Sequence, residues 1–373
     1  MLAKVDGIPE IYHNVKILLD SLDLPKLSKS FQIVCDLKMI NIILGIQSCT
    51  SMFGCPYCEG YKIDENGRKT NKRGKWVKKQ LRTVNNITSH FNEFKDSGGD
   101  DRKTLKNFKS VEFEPIKLKE GAGDEWVAKI LPPAPLHTNL LGPVNDVLST
   151  MEVIYEELME LFYRVHFLNK NGEAAGGKFN GPSIKTALNN LDKLEEMIPT
   201  EGFPFIEYLQ SIKEVHKMCI SDKFDENYQL LIDEFKSKFD ILYDKFKINM
   251  TLKIHVIVDH YGDYFKQTGI NFKFTNDEHH EAIHHSLKVF EAKKGFHMKK
   301  NLGSLIHQAK CLQSIVTFNV LRAGYVRKEA MRLTPARKRL SSTSSSSPKS
   351  SPRKGFPLKK THVNRLMLNF IDE

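Results

Sequence analysis

The segment from Asp36 to Cys58, DLKMINIILGIQSCTSMFGCPYC, constrains this chain more than any other. It reads as a strand over 31–35, an acidic residue at the strand's C-terminal end, an apolar helix, and a Cys55-Pro56-Tyr57-Cys58 knuckle. An aspartate at that place is expected to be fixed by a sheet and to point into the crevice where open α/β sheets bind ligands. Two cysteines at this spacing supply half of a tetrahedral metal site and require two further ligands. The candidates lie far downstream, in the compact segment from His255 to Glu281.

Composition narrows the partners. Lys and Arg number 56 against 45 Asp and Glu, giving a net charge of +11 and a pI of about 9.1. Such a balance favours a polyanion, nucleic acid above all. No run approaches the roughly 20 apolar residues that span a bilayer, so no membrane is expected. The opening MLAKVDGIPEIYHNVK lacks the apolar core of a signal peptide. The six cysteines are therefore expected to be reduced thiols of an intracellular protein, with Cys55 and Cys58 as ligands and not a disulfide.

Much of the positive charge falls in NGRKTNKRGKWVKKQLR, which holds Lys72, Arg73, Lys75, Lys78, Lys79 and Arg82 around Trp76. Two readings fit: a solvated surface loop, or a nucleic-acid-binding loop whose cations neutralise phosphates while the indole stacks on an unpaired base. His90 follows on a helix expected to be capped by Thr88 or Ser89. Residues 8–22 carry Ile11, Val15, Leu18 and Leu19 at helical spacing. The stretch 131–148 is a proline-punctuated loop running into a helix, with His137 and Asn139 as its polar exceptions.

From Asp146 to Asp244 the pattern is almost wholly helical, with apolar stripes over 147–162, 184–194 and 231–246 and an N-cap candidate at Ser183. The glycine-rich GEAAGGKFNG has no Gly-Lys-Ser/Thr ending, so it is no phosphate loop. His255 and His260 are five apart, about 140° around a helix, and shared ligation predicts a distorted or terminal turn. Glu278, Glu281 and His285 fall on one helical face, and taken alone this cluster reads as a surface helix rich in His. After Arg322 the chain turns rich in Ser, Pro, Lys and Arg and reads as disordered. There Arg337-Lys338-Arg339 has the form of a nuclear-import cluster, and Ser347-Pro348 and Ser351-Pro352 the form of phosphorylation sites.

The order of these segments is more specific than any one of them. Asp36, Cys55-x-x-Cys58, the His137 loop, a long helical block containing KFNGPSIKTALNNL, His255-x4-His260 and then Glu281 resemble the catalytic core of RNase H-like DDE transposases, especially the Transib and V(D)J-recombinase type. The resemblance implies a mixed α/β, predominantly helical fold: an incomplete RNase H-like core interrupted by an all-α insertion domain, with a structural zinc site and a disordered basic tail. It divides the chain into a partial core with the knuckle (1–145), a helical insertion (146–250), C-terminal core helices (251–323) and the tail (324–373). It makes Asp36 and Glu281 catalytic carboxylates, with Glu278 as an alternative one turn away. Cys55, Cys58, His255 and His260 become zinc ligands, and the partners become DNA, Mg²⁺ for cleavage and a second copy in a homodimer, in the nucleus.

DDE chemistry uses three carboxylates to hold two metal ions. The stretch before Asp36 is short for the family's opening strands, and Asp6, Asp20 and Asp23 lie on or beside a helix. The first catalytic aspartate is therefore expected to be missing, and the protein to be a transposase-derived remnant that does not cleave DNA alone. The alternatives are a non-catalytic, zinc-stabilised protein that binds DNA or chromatin and a helical scaffold in which the Cys and His residues are coincidental.

Overall fold

Asp36 opens a helix; it does not close a strand. Its backbone is extended and its side chain accepts a 2.7 Å hydrogen bond from the Met39 N–H, which satisfies a donor that the first turn of a helix leaves unpaired. The helix it caps, α2 (Leu37–Ile43), buries Leu37, Ile40 and Ile43. The expected strand before it is not formed at 32–35. Ile33 N–H donates to Ile130 O at 2.9 Å, but no ladder continues from that bond among the described residues, and a strand without a neighbour has no ladder to join.

The computed structural model describes residues 10–21, 32–99, 103–119, 121, 123–166 and 181–275. Glu278, Glu281, His285 and the basic tail lie outside the described residues. Ahead of α2 lies α1 (Tyr12–Ser21), shorter than the 8–22 expected, with Val15 in the core and Ile17 exposed.

The basic stretch is a sheet, not a loop. Strands β1 (Tyr61–Ile63), β2 (Lys69–Thr70) and β3 (Lys75–Val77) pair antiparallel in the order β2-β1-β3, with Lys62 opposite both Thr70 and Trp76. The β1–β2 turn is set by Asp64, whose carboxylate accepts from the Asn66 and Arg68 N–H groups, and Gly67 supplies the positive φ of 73°. Helix α3 (Val84–Asp96) starts at a reciprocal capping box between Thr83 and Asn86. The cap therefore sits upstream of Thr88 and Ser89, and Thr88 instead bonds back to Val84 O within the helix.

The rest is helical: α4 (Val127–Ile130), a π turn at Leu136–Leu140, α5 (Pro143–Ile154), α6 (Glu156–His166), α7 (Gly181–Asn189), α8 (Leu191–Met197), α9 (Phe203–Ile220), α10 (Tyr228–Phe246) and α11 (Leu252–Thr268). The stripe expected over 147–162 is broken at Tyr155, which leaves Ile154 exposed. Ser183 lies inside α7, which begins at Gly181. Helix α9 is the central beam, burying Phe205, Tyr208, Leu209, Ile212 and Val215 against α10 and α5. Helix α11 packs on α10 and on the π turn, where the Tyr261 hydroxyl donates to Asn139 Oδ1 at 2.5 Å. One hydrophobic cluster runs from α2 through the knuckle to α11. The fold is thus predominantly helical with a small antiparallel sheet. No helix of the described residues is long and apolar enough to cross a membrane.

Candidate metal centre

The knuckle is held through its backbone carbonyls. Cys55, Tyr57 and Cys58 are fully buried, so their carbonyls need partners inside the protein. Arg82 supplies them. Its Nε donates to Cys55 O at 3.0 Å and Cys58 O at 3.1 Å, and its Nη2 to Phe53 O at 3.1 Å and Lys109 O at 2.8 Å. Trp126 Nε1–H donates to Tyr57 O at 3.0 Å, and the Gly60 N–H to Cys58 Sγ at 3.3 Å. Gly60 has no room for a side chain, because a Cβ would lie 2.7 Å from Val77 O and 2.9 Å from Cys58 Sγ. Burial pulls the Arg82 pKa down, opposed by Glu59 and the two cysteines, yet a guanidinium starts high enough to stay charged.

The other half comes from α11. His255 and His260 are both fully buried, and their Nε2 atoms stand 3.2 Å apart. No distorted turn is needed: the helix runs unbroken from Leu252 to Thr268, and the two rings reach around its inward face from either side. His255 Nδ1–H donates to Asp259 Oδ2 at 2.6 Å, which fixes the ring and turns the Nε2 lone pair inward. Trp76 stacks on His255 (4.6 Å between centroids, 10° between planes), and Tyr57 meets His260 edge-on at 5.7 Å. The sheet is clamped to this helix by Lys78 and Asp263, 2.5 Å apart.

The two halves converge on one point. Cys55 Sγ lies 3.4 Å from His260 Nε2, Cys58 Sγ lies 3.4 Å from His255 Nε2, and all four ligand atoms fall within 4.8 Å of one another. A tetrahedral ion with bonds of about 2.3 Å to sulfur and 2.0–2.1 Å to nitrogen would set S···N near 3.6 Å and N···N near 3.3 Å. The two 3.4 Å S···N distances and the 3.2 Å N···N distance are close to those values. Hydrogen bonds from Cys55, and then from the two imidazoles, outweigh burial and hold the Cys58 thiol far below its ordinary value. Burial, with its bond to Cys58, pushes Cys55 up. Burial lowers His255, but Asp259 and Cys58 outweigh it and the net shift is upward; His260 is lowered, chiefly by burial. Metal binding replaces the shared protons. Two thiols and two imidazoles, all enclosed, are a donor set that could hold a four-coordinate metal ion.

The remaining candidates are placed differently. Arg82 is corrected from a nucleic-acid contact to a buried strut: at 0% exposure it reaches no phosphate. Trp76 is corrected likewise, since its ring covers His255 and cannot stack on a base. Lys75 is paired with Asp240 at 2.9 Å, Lys78 with Asp263, and Arg73 lies 3.4 Å from Glu65. Lys72 and Lys79 are exposed. Asp36, at the head of α2, caps that helix and points into no sheet crevice. His90 Nε2 lies 2.8 Å from Glu59 Oε1. No family model matches the sequence, and no curated protein matches it.

Sequence reasoning missed Asp259 and the supporting role of Arg82. Asp259 was findable, as a carboxylate four residues after a ligand histidine shares its helix face. Nothing in the sequence separates Arg82 from its basic neighbours.

Proposed function

We propose that the chain is a transposase-derived protein of the RNase H-like DDE type, built around a structural zinc centre, whose present role is to bind DNA without cutting it. The observation that carries this reading is the enclosed Cys55–Cys58–His255–His260 cage, assembled from chain segments in the order the family uses. Zinc is the ion best suited to a tetrahedral set of two sulfurs and two nitrogens. In this reading the fold is an RNase H-like core with a helical insertion, the ion stapling the knuckle to α11 across that insertion. Residues Arg82, Trp126, Gly60 and Asp259 set the ligands before the metal arrives.

The net charge of +11 supports a polyanionic partner, and the same resemblance supports a nuclear protein that pairs with a second copy. Absence of cleavage is supported by Asp36, whose carboxylate is engaged as a helix cap. Strand cleavage would need Mg²⁺ held by Asp36, Glu281 and a further carboxylate. The test is binding and nicking of a DNA duplex by the purified zinc-loaded protein. Binding without Mg²⁺-dependent nicking is the expected result. Nicking that disappears in Glu281→Gln would overturn the non-catalytic role, and absence of any DNA affinity would overturn the DNA-binding one.

A further inference from the structure

Lysines on the small sheet are of two kinds. Side chains alternate across a strand. Trp76 and Lys78 accordingly both turn toward α11, where one stacks on His255 and the other pairs with Asp263. Tyr61 and Lys69 take the other face. There Lys69 Nζ sits 4.4 Å from the centroid of Tyr61 and 5.6 Å from that of Phe53. Lys79 Nζ is 5.8 Å from Tyr61, and Lys109 Nζ is 5.1 Å from Phe53. The two rings touch edge to face at 5.8 Å, so three ammonium groups gather on one aromatic pair.

A carboxylate that holds a lysine also cancels its charge. An aromatic face holds it through the ring quadrupole and cancels nothing. Lys75 and Lys78 are of the first kind. Lys69, Lys79 and Lys109 are of the second, and none of them forms an ion pair among the described residues. The seats are also fixed. Phe53 is buried, and the backbone carbonyls of Phe53 and Lys109 both accept from the Nη2 of Arg82, the group that holds the knuckle.

We infer that Lys69, Lys79 and Lys109 form a phosphate-contacting surface for DNA, pre-positioned by Arg82 from beneath the metal knuckle; the inference rests on the DNA-binding role proposed above and gives it an address. With ammonium groups over the rings, Tyr61 and Phe53 are seats and not stacking platforms. Contact is with the backbone alone, and binding follows salt steeply and sequence weakly.

The experiment measures anisotropy of a fluorescent DNA duplex, over a salt series, with the zinc-loaded full chain. Lys69→Gln/Lys79→Gln/Lys109→Gln is compared with Lys193→Gln/Lys223→Gln/Lys266→Gln, which removes the same charge from exposed lysines elsewhere; unchanged melting temperatures verify both folds. The patch variant is expected to lose about tenfold in affinity and to lower the log–log salt slope by about 2 to 3, near 0.9 per phosphate contact. The control variant stays near wild type. Equal behaviour of the two variants, with wild type still binding, overturns the patch and leaves DNA binding standing. A wild-type protein with no affinity for the duplex overturns both.

Discussion

The Cys55–Cys58 knuckle and helix α11 contribute two candidate ligands each, yet they hold them by different means. The helix needs little help: its ladder fixes the backbone of His255 and His260, and a side chain, Asp259, orients one ring. The knuckle has only an isolated bridge, between Cys58 and Leu81. Its shape depends on a buried guanidinium bonded to four carbonyls, an indole bonded to a fifth, and a glycine against which the chain folds back. A regular element therefore carries ligands on its own account, whereas an irregular one borrows rigidity from residues distant in sequence.

Mutations separate the two halves. The largest loss is expected for Arg82→Met, which strips donors from enclosed carbonyls and should cost about 4 kcal/mol or more of unfolding free energy, read by denaturant melts of the metal-loaded protein. A loss below about 1 kcal/mol would mean that the knuckle holds its own shape. Gly60→Ala comes next, at about 1–3 kcal/mol, since the added methyl meets Val77 O and Cys58 Sγ. On the helical side, Asp259→Asn should weaken metal affinity by about 10- to 100-fold, measured by competition with a chelating dye, and lower the stability of the metal-loaded protein only by the matching amount, about 1.4–2.7 kcal/mol. A stability loss for Asp259→Asn well beyond its affinity loss would erase the distinction.

The smallest effect belongs to the docking of the sheet onto α10. Burial raises the Asp240 pKa, but hydrogen bonds from Lys75 and Lys236 outweigh it and the net shift is downward. A depressed carboxylate stabilises the fold above its unfolded value, 3.8, and that contribution fades as pH falls through the lower folded value. Asp240→Asn should therefore remove a modest part of the stability at neutral pH and flatten the acid limb of the stability curve. An unchanged acid limb would show that the ion pair adds nothing.

The same contrast explains what was legible in the sequence. The candidate ligands could be named because the Cys55–Cys58 spacing stands out and the resemblance pairs it with His255 and His260, and the helices because apolar residues recur at the helical period. The sheet in the basic segment was not legible because Trp76 alternates with its neighbours over a strand of three, too short for the period to stand out against the charge. Asp36 was placed at the end of a strand because an apolar run precedes it, yet capping chemistry with Met39 decides the local structure. The role of Arg82 was invisible for a different reason: its partners are backbone carbonyls, which carry no sequence signature.

The account stands on the claim that two distant segments meet around one metal ion. Metal content and thermal melting of purified wild type and Cys55→Ser test it most directly. The expected result is one zinc ion per chain in the wild type, lost in the variant together with cooperative melting. A well-folded wild type without zinc, or a variant that keeps both its zinc and its transition, would contradict it.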